Sequence, residues 1–328
     1  MQATSKQTFR PMQNRVAQYD FMKCVFIILM IIFHLVYIGD KYPYAKQVVY
    51  TFHMPVFLYL SGYLANMDKT LGRISRQVWW LLVPYVVMES GYILMASVLP
   101  IREHIDVLTP GVFVQKLLLN PLGPYWYLHT MIVCYAAYYL TGRLGSRLGT
   151  VSLLAVLGSV MWLLSDVLHV MAMDNAAYFL AGAATRRLGA RLLSVVRASW
   201  LSIIPLLILC SDADNLDRFT LQGMVITYLA MCLCLAVFNA LPQKLKAWAC
   251  MIGENTLSIL LFSAMFTVLT KPFVGVFAFD PTGFLFMAFA VVMTTAGSFA
   301  VAWIMDKLHL TPFFCGKKRL LELGYLRA

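Results

Sequence analysis

Five ionisable side chains stand where the sequence is otherwise apolar: Lys23, His34, His53, Glu89 and His129. Within a membrane such a group costs on the order of 2.5–3.5 kcal/mol on insertion scales, so each needs a partner or a task. Histidine is the most versatile of them, because its neutral ring can both give and take a proton near neutral pH. Lys23 and His34 share one run, YDFMKCVFIILMIIFHL. Eleven residues at 100° each make three turns and about 20°, so both project from one face, about 16 Å apart along the axis. Read singly, Lys23 is a snorkelling anchor and His34 a helix–helix hydrogen bond. Their shared face weakens both of those readings.

His53 lies in FHMPVFLYLSGYL, which would run antiparallel to the first helix and bring His53 to the depth of His34. Pro55 beside it suits a first helical turn, or a kink that frees backbone groups to line a cavity. Ser61 and Gly62 are small enough for close helix contact. A later run, GPYWYLHTMIVCYAAYY, carries His129 to the same level. Three histidines at one depth mark a polar pocket in the outer half of the membrane. The rings of Tyr125, Trp126 and Tyr127 read either as an interfacial belt or as a stacking surface for sugar. Glu89 sits mid-run as a lone carboxyl, protonated or paired; a structural network and a proton relay both fit it.

The elements that would carry these groups follow from composition. The 328 residues are 61% hydrophobic and only 12% charged, with a net charge of +11. No water-soluble fold of this size hides so much apolar surface, and disorder, collagen and disulfide scaffolds are excluded as well. Nucleic acid is not an expected partner, because the basic residues fall in short groups between apolar runs rather than on one face. The chain reads as an all-α polytopic integral membrane protein. Ten runs near the roughly 20-residue length of a span emerge: 21–38, 48–65, 78–99, 124–141, 151–168, 174–185, 199–210, 220–240, 249–270 and 283–304. The sixth and seventh are short. With the N-terminus inside, 20 of the 26 Lys and Arg fall on cytoplasmic segments and six, Lys41, Lys46, Arg102, Lys116, Arg218 and Lys271, fall outside. That bias predicts ten helices with both termini cytoplasmic. Residues 1–20 and 305–328 then flank a single membrane domain over 21–304 in contact with membrane lipids. No cleavable signal peptide is expected, since the first twenty residues are polar. The seven cysteines lack metal-site spacing and read as small core residues, and no metal is expected.

On the cytoplasmic side, Thr141, Arg143, Leu144, Gly145, Arg147 and Leu148 recur 44 residues on as Thr185, Arg187, Leu188, Gly189, Arg191 and Leu192. Cations and glycine end helices well, which explains the echo structurally. Two basic corners for the phosphates of a cytosolic anion are the functional alternative.

These pieces, in this order, resemble the membrane acyltransferase-3 family, in its branch of fucose 4-O-acetylase-like and exopolysaccharide O-acetyltransferases. Lys23 and His34 are similar to the family's basic residue, ten residues, histidine, and Asp20 to the branch's acidic residue three positions earlier. Phe52–Leu64 resembles the second-helix signature, WWLLVPY (Trp79–Tyr85) the entry to the third helix, and GPYWYL (Gly123–Leu128) the aromatic opening of the fourth. IGENTLSILLF (Ile252–Phe262) resembles the entry to the ninth. Many members have arginine at Lys23, a forked donor in place of a point charge. Many also end the ninth-helix motif in histidine where Ser263 stands. The chain is expected to be a minimal member with no added periplasmic domain.

The resemblance implies transfer of an acyl group, usually acetyl, from cytosolic acyl-CoA to a hydroxyl of an envelope glycan or its lipid-linked precursor. A sugar hydroxyl is a poor nucleophile, and histidine suits its activation. His34 is expected as general base, with an acyl-histidine as the alternative, and His53 as its partner. Lys23 is expected to hold acetyl-CoA, aided by Arg73, Arg76, Arg143 and Arg187. Tyr125, Trp126, His129 and Glu89 are expected on the acceptor side. The bacterial inner membrane is the expected location. A transporter or flippase for a glycan or lipid-linked sugar is the rival class, although two matching halves with broken helices are not found.

Overall fold

A computed structural model describes residues 16–66, 70–99 and 103–327; Lys6, Arg10, Arg15, Lys69 and Arg102 of the charge count lie outside them, as does the Arg327 side chain. The described residues are helical, without strands. In chain order they form α1 (Ala17–His34), α2 (Val36–Lys41), α3 (Pro43–Leu64), α4 (Leu71–Val98) and α5 (Pro110–Leu118). Then follow α6 (Trp126–Leu144), α7 (Thr150–Trp162), α8 (Met173–Arg187), α9 (Leu192–Val195), α10 (Ile203–Leu209) and α11 (Leu221–Ala240). The chain closes with α12 (Gln243–Glu254), α13 (Thr256–Leu269), α14 (Phe284–Lys307), α15 (Thr311–Cys315) and α16 (Gly324–Arg327).

All ten apolar runs are helical. Among the described residues, five helices, continuations included, are long and apolar enough to cross a membrane on their own, six if the bent pair α12–α13 counts as one span. Two runs differ from the continuous helices the sequence predicts. The first, over 21–38, ends at His34: Leu35 is extended and a short new helix follows. His34 is therefore the last residue of α1. The end of a helix leaves its final carbonyls without helical partners, and Phe33 O accepts from Tyr50 Oη at 3.2 Å. The run over 249–270 breaks at Asn255, where α12 and α13 meet at 76°.

Side-chain identities explain the packing around α3. Pro55 has no N–H to give the carbonyl of Thr51 four residues back. The Thr227 hydroxyl of α11 lies 3.4 Å from Thr51 O while sharing its one proton with Gly223 O at 2.9 Å, so the carbonyl is only partly compensated. Farther along, α3 crosses α8 so closely that only glycine fits. A Cβ on Gly62 would stand 2.0 Å from Phe179 O, and one on Gly182 would stand 2.0 Å from Tyr59 O. Small residues at helix contacts are how membrane bundles pack without a hydrophobic driving force. At the other side of α1, a Cβ on Gly253 would meet Asp20 O at 1.7 Å, so α12 lies equally close to the start of α1. The main core gathers α1, α3, α11 and α13. Six cysteines are buried and Cys210 is half-buried, all of them as free thiols.

Candidate functional site

His34 and His53 line one cavity of about 230 Å³, with Met30, Tyr50, Met54 and Trp126 among its other walls. Each ring donates from Nδ1 to a backbone oxygen: His34 to Met30 O and His53 to Val49 O, both at 2.8 Å. A carbonyl only accepts, so each Nδ1 carries a proton, and in the neutral ring Nε2 keeps the lone pair. The Nε2 of His53 is buried with no hydrogen-bond partner among the described residues. Tyr50 stands between the two rings, its centroid 5.9 Å from that of His34 and 5.0 Å from that of His53. The break after α1 thus serves the site: it frees the carbonyl that anchors Tyr50.

Lys23 lines a second cavity of about 210 Å³ toward the start of α1. Its walls are mostly apolar, from α1, α3, α4, α6 and α13. Lys23 Nζ is 2.5 Å from Oδ1 of the buried Asp20. Met54 and Leu260 belong to the walls of both small cavities, so two side chains divide the Lys23 space from the histidine space.

A third cavity, about 990 Å³, adjoins the histidine cavity without touching the Lys23 space. Trp126 and Arg218 line both. Arg218 is paired with Asp174 of α8. The third cavity is polar: His129, Lys116, Asp166, Ser165 and Asn175 all face it, and Ser165 Oγ and Asn175 Oδ1 are buried without partners among the described residues. Three spaces therefore stand in a row from Lys23, past the two histidines, to this polar chamber.

The expected three-histidine pocket divides. His129 faces the polar chamber rather than the cavity of His34 and His53, and its Nε2 donates to Leu118 O at 2.9 Å. The aromatic triplet divides as well, because successive helical residues point about 100° apart. Trp126 reaches two cavities, Tyr127 lines the Lys23 space, and Tyr125 is buried with its Oη donating to Leu261 O at 2.8 Å. Glu89 lines none of these spaces. Its Oε1 accepts from Leu122 N at 2.6 Å and so pins the turn that enters α6, behind the chamber wall. Among the four expected arginines, Arg73, Arg76 and Arg143 are exposed and Arg187 donates to Tyr138 Oη at 3.3 Å; none lines the Lys23 cavity. Gly145 caps α6, and Gly189 takes a positive φ of 76° just past α8, so both copies of the basic echo end helices. Tyr50, Asp174, Arg218, Ser165 and Asn175 are the site residues that pattern reading missed. Arg218 and Asp174 lie 44 residues apart in different segments, and no local spacing signals their pairing.

Residues 16–303 match the family model Acyl_transf_3, described as an acyltransferase domain. The chain belongs to the acyltransferase-3 family. The family assignment covers α1 through most of α14 and so includes all three cavities. Nodulation protein NolL of Sinorhizobium fredii (strain NBRC 101917 / NGR234) is 30% identical over 142 residues, 39% of this chain and 36% of NolL. NolL of Mesorhizobium japonicum (strain LMG 29417 / CECT 9101 / MAFF 303099) is 29% identical over 136 residues, 37% of this chain and 35% of that protein. The chain spans about a third of the length of the curated relatives it matches. No solved structure matches. Family membership and the long apolar helices together make this a membrane protein.

Proposed function

We propose that the chain is an O-acyltransferase that moves an acyl group, acetyl foremost, from cytosolic acyl-CoA to a hydroxyl of an envelope or exopolysaccharide sugar or its lipid-linked precursor. The observation that carries this reading is the row of three spaces, with the histidines in the middle and one shared wall on each side. Two substrates of different polarity can then approach one base from opposite directions. The apolar Lys23 space suits a pantetheine arm, and Lys23 stands at the end where an anionic donor would enter. The polar chamber, with unpartnered Ser165 and Asn175 and the ring of Trp126, suits a sugar.

In this reading His34 Nε2 takes the proton of the acceptor hydroxyl as its oxygen attacks the thioester carbonyl. The carbon–sulfur bond then breaks, and the imidazolium returns the proton to the departing thiolate. The Met30 carbonyl holds the ring of His34 in the tautomer this step needs, and the Tyr50 ring packs beside it. His53, which lines the same cavity, accepts from the acceptor hydroxyl at Nε2 and so orients it. Arg218, held by Asp174, stands at the acceptor-side entrance as a fixed positive charge. Ten spans with both termini in the cytoplasm, in a bacterial inner membrane, complete the proposal; the 20-to-6 basic bias supports that orientation.

The test is reconstitution of the purified chain with acetyl-CoA and a saccharide acceptor, reading thiol release and O-acetyl signals by proton NMR. Acceptor-dependent thiol release that His34→Ala abolishes is the expected result. Movement of saccharide across the vesicle with no acyl donor would overturn it in favour of a transporter.

A further inference from the structure

The segment after α14 lies beyond the family match, which ends at residue 303. It is nevertheless fastened to the Lys23 cavity at three places. Tyr325 Oη donates to Asp20 Oδ2 at 2.7 Å, and the other oxygen of Asp20 holds Lys23 Nζ at 2.5 Å. At the α12–α13 bend, the Asn255 amide pairs with both backbone groups of Glu322, giving to its carbonyl and accepting from its N–H at 2.7 Å each. The next two residues, Thr256 and Leu257, line the cavity. The third fastening is Gly316, at φ 64°, which lies against Trp80 so tightly that a Cβ there would stand 2.3 Å from the indole. Trp80 precedes Leu81, another wall residue.

Between the second and third fastenings run Lys317, Lys318 and Arg319, three consecutive exposed cations. The loop is set by Asp306, whose carboxylate accepts from Leu320 N at 2.7 Å and Leu321 N at 3.0 Å. Arg73 and Arg76 precede Trp80 by seven and four residues on α4, and helical periodicity puts them on the face of Trp80. Positive charge from two distant parts of the chain therefore gathers at one rim. Inside the cavity, Lys23 is the one charged wall residue among the described residues.

We propose that this segment completes the donor site: Lys317, Lys318 and Arg319 take the nucleotide phosphates of acyl-CoA, and Tyr325, through Asp20, positions the Lys23 ammonium. The inference rests on the donor assignment made above. A pantetheine arm fits an apolar passage, whereas the phosphates at its far end need cations at the rim, and charge-assisted contacts to phosphate are the strong ones. Tyr325 is a positioning residue: it touches Asp20 and acts on the donor only through it.

The experiment measures binding of acetyl-CoA and of S-acetylpantetheine, which lacks the nucleotide phosphates, to the full purified chain in lipid nanodiscs. Wild type is expected to prefer acetyl-CoA. In Lys317→Gln/Lys318→Gln/Arg319→Gln that preference falls about tenfold or more, the size expected on losing at least one charge-assisted contact. Because the readout is a ratio between two donors on one sample, partial misfolding does not imitate it. Tyr325→Phe raises KM for acetyl-CoA severalfold while kcat falls far less. An unchanged preference in the triple variant, or a Tyr325→Phe effect confined to kcat, overturns the proposal. Failure of wild type to bind acetyl-CoA at all would instead sink the donor assignment on which it stands.

Discussion

His34 and His53 sit on different helices yet are held by the same device, each Nδ1 2.8 Å from the carbonyl four residues before it. In the neutral ring each Nε2 is then the basic atom, and both residues line one cavity. A general base of this kind contributes about 10²–10⁴-fold. His34→Gln is expected to cut turnover by that factor while acetyl-CoA binding persists, and His53→Gln to cut it by less. Steady-state rates of thiol release, beside a donor titration, check this; equal rates for wild type and His34→Gln would remove His34 from the chemistry.

Met54 and Leu260 are the wall that the Lys23 cavity and the histidine cavity share. Leu260→Trp puts a larger side chain into that wall and should block the acyl group short of His34. Acetyl-CoA binding then survives while transfer drops at least a hundredfold, a size the general-base contribution sets when the base is out of reach. Overpacking alone costs about 1–3 kcal/mol of stability, so a melting curve separates a blocked passage from a damaged fold. Transfer at the wild-type rate in a folded Leu260→Trp protein would mean the two spaces are not joined in function.

Arg218 lines both the polar chamber and the histidine cavity, and Asp174 is its partner. Arg218→Gln removes one charge-assisted donor, and about a tenfold rise in acceptor KM is expected. Asp174→Asn keeps the positive charge but releases its anchor and should give a smaller rise. Saturation curves for the saccharide acceptor decide between this and a purely structural pair, which would melt the protein earlier without moving KM.

Gly182 meets the backbone of Tyr59 where α8 crosses α3, and a methyl group there would stand 2.0 Å from a carbonyl oxygen that cannot turn aside. Gly182→Ala should destabilise the protein by about 1–3 kcal/mol through overpacking. Thermal unfolding in detergent reads this directly. An unchanged midpoint would show that the two helices separate freely.

Much of the site was legible because it is local. Lys23 and His34 share a helix face by arithmetic on eleven residues, and they do line adjoining cavities along α1. His53 joins His34 because antiparallel neighbours of known entry point match in depth. Gly62 announced a close crossing by its size alone. The same local logic misplaced His129 and Tyr125. Depth along the membrane normal follows from counting residues, whereas rotation about the helix axis depends on packing, and a turn of about 100° per residue separates a cavity wall from a buried anchor. Glu89 was found as an anomaly, but its partner, the amide of Leu122, lies 33 residues away in a turn with no periodic signature.

The amino-acid sequence by itself determined the class: apolar runs of membrane length, a basic bias between them, and a lysine and histidine on one helical face. These depend on composition and on helix geometry, which are properties of short stretches. Only the tertiary structure decided which residues meet. The break after His34 and the bend at Asn255 are not forced by proline; at the first, the freed carbonyl of Phe33 accepts from Tyr50, and at the second, the Asn255 side-chain amide pairs with the backbone of the distant Glu322. The Arg218–Asp174 pair and the Tyr325–Asp20–Lys23 chain likewise join segments far apart in sequence. Such contacts are selected by the packing of the whole bundle, since a buried polar group takes whichever donor or acceptor the fold brings within reach.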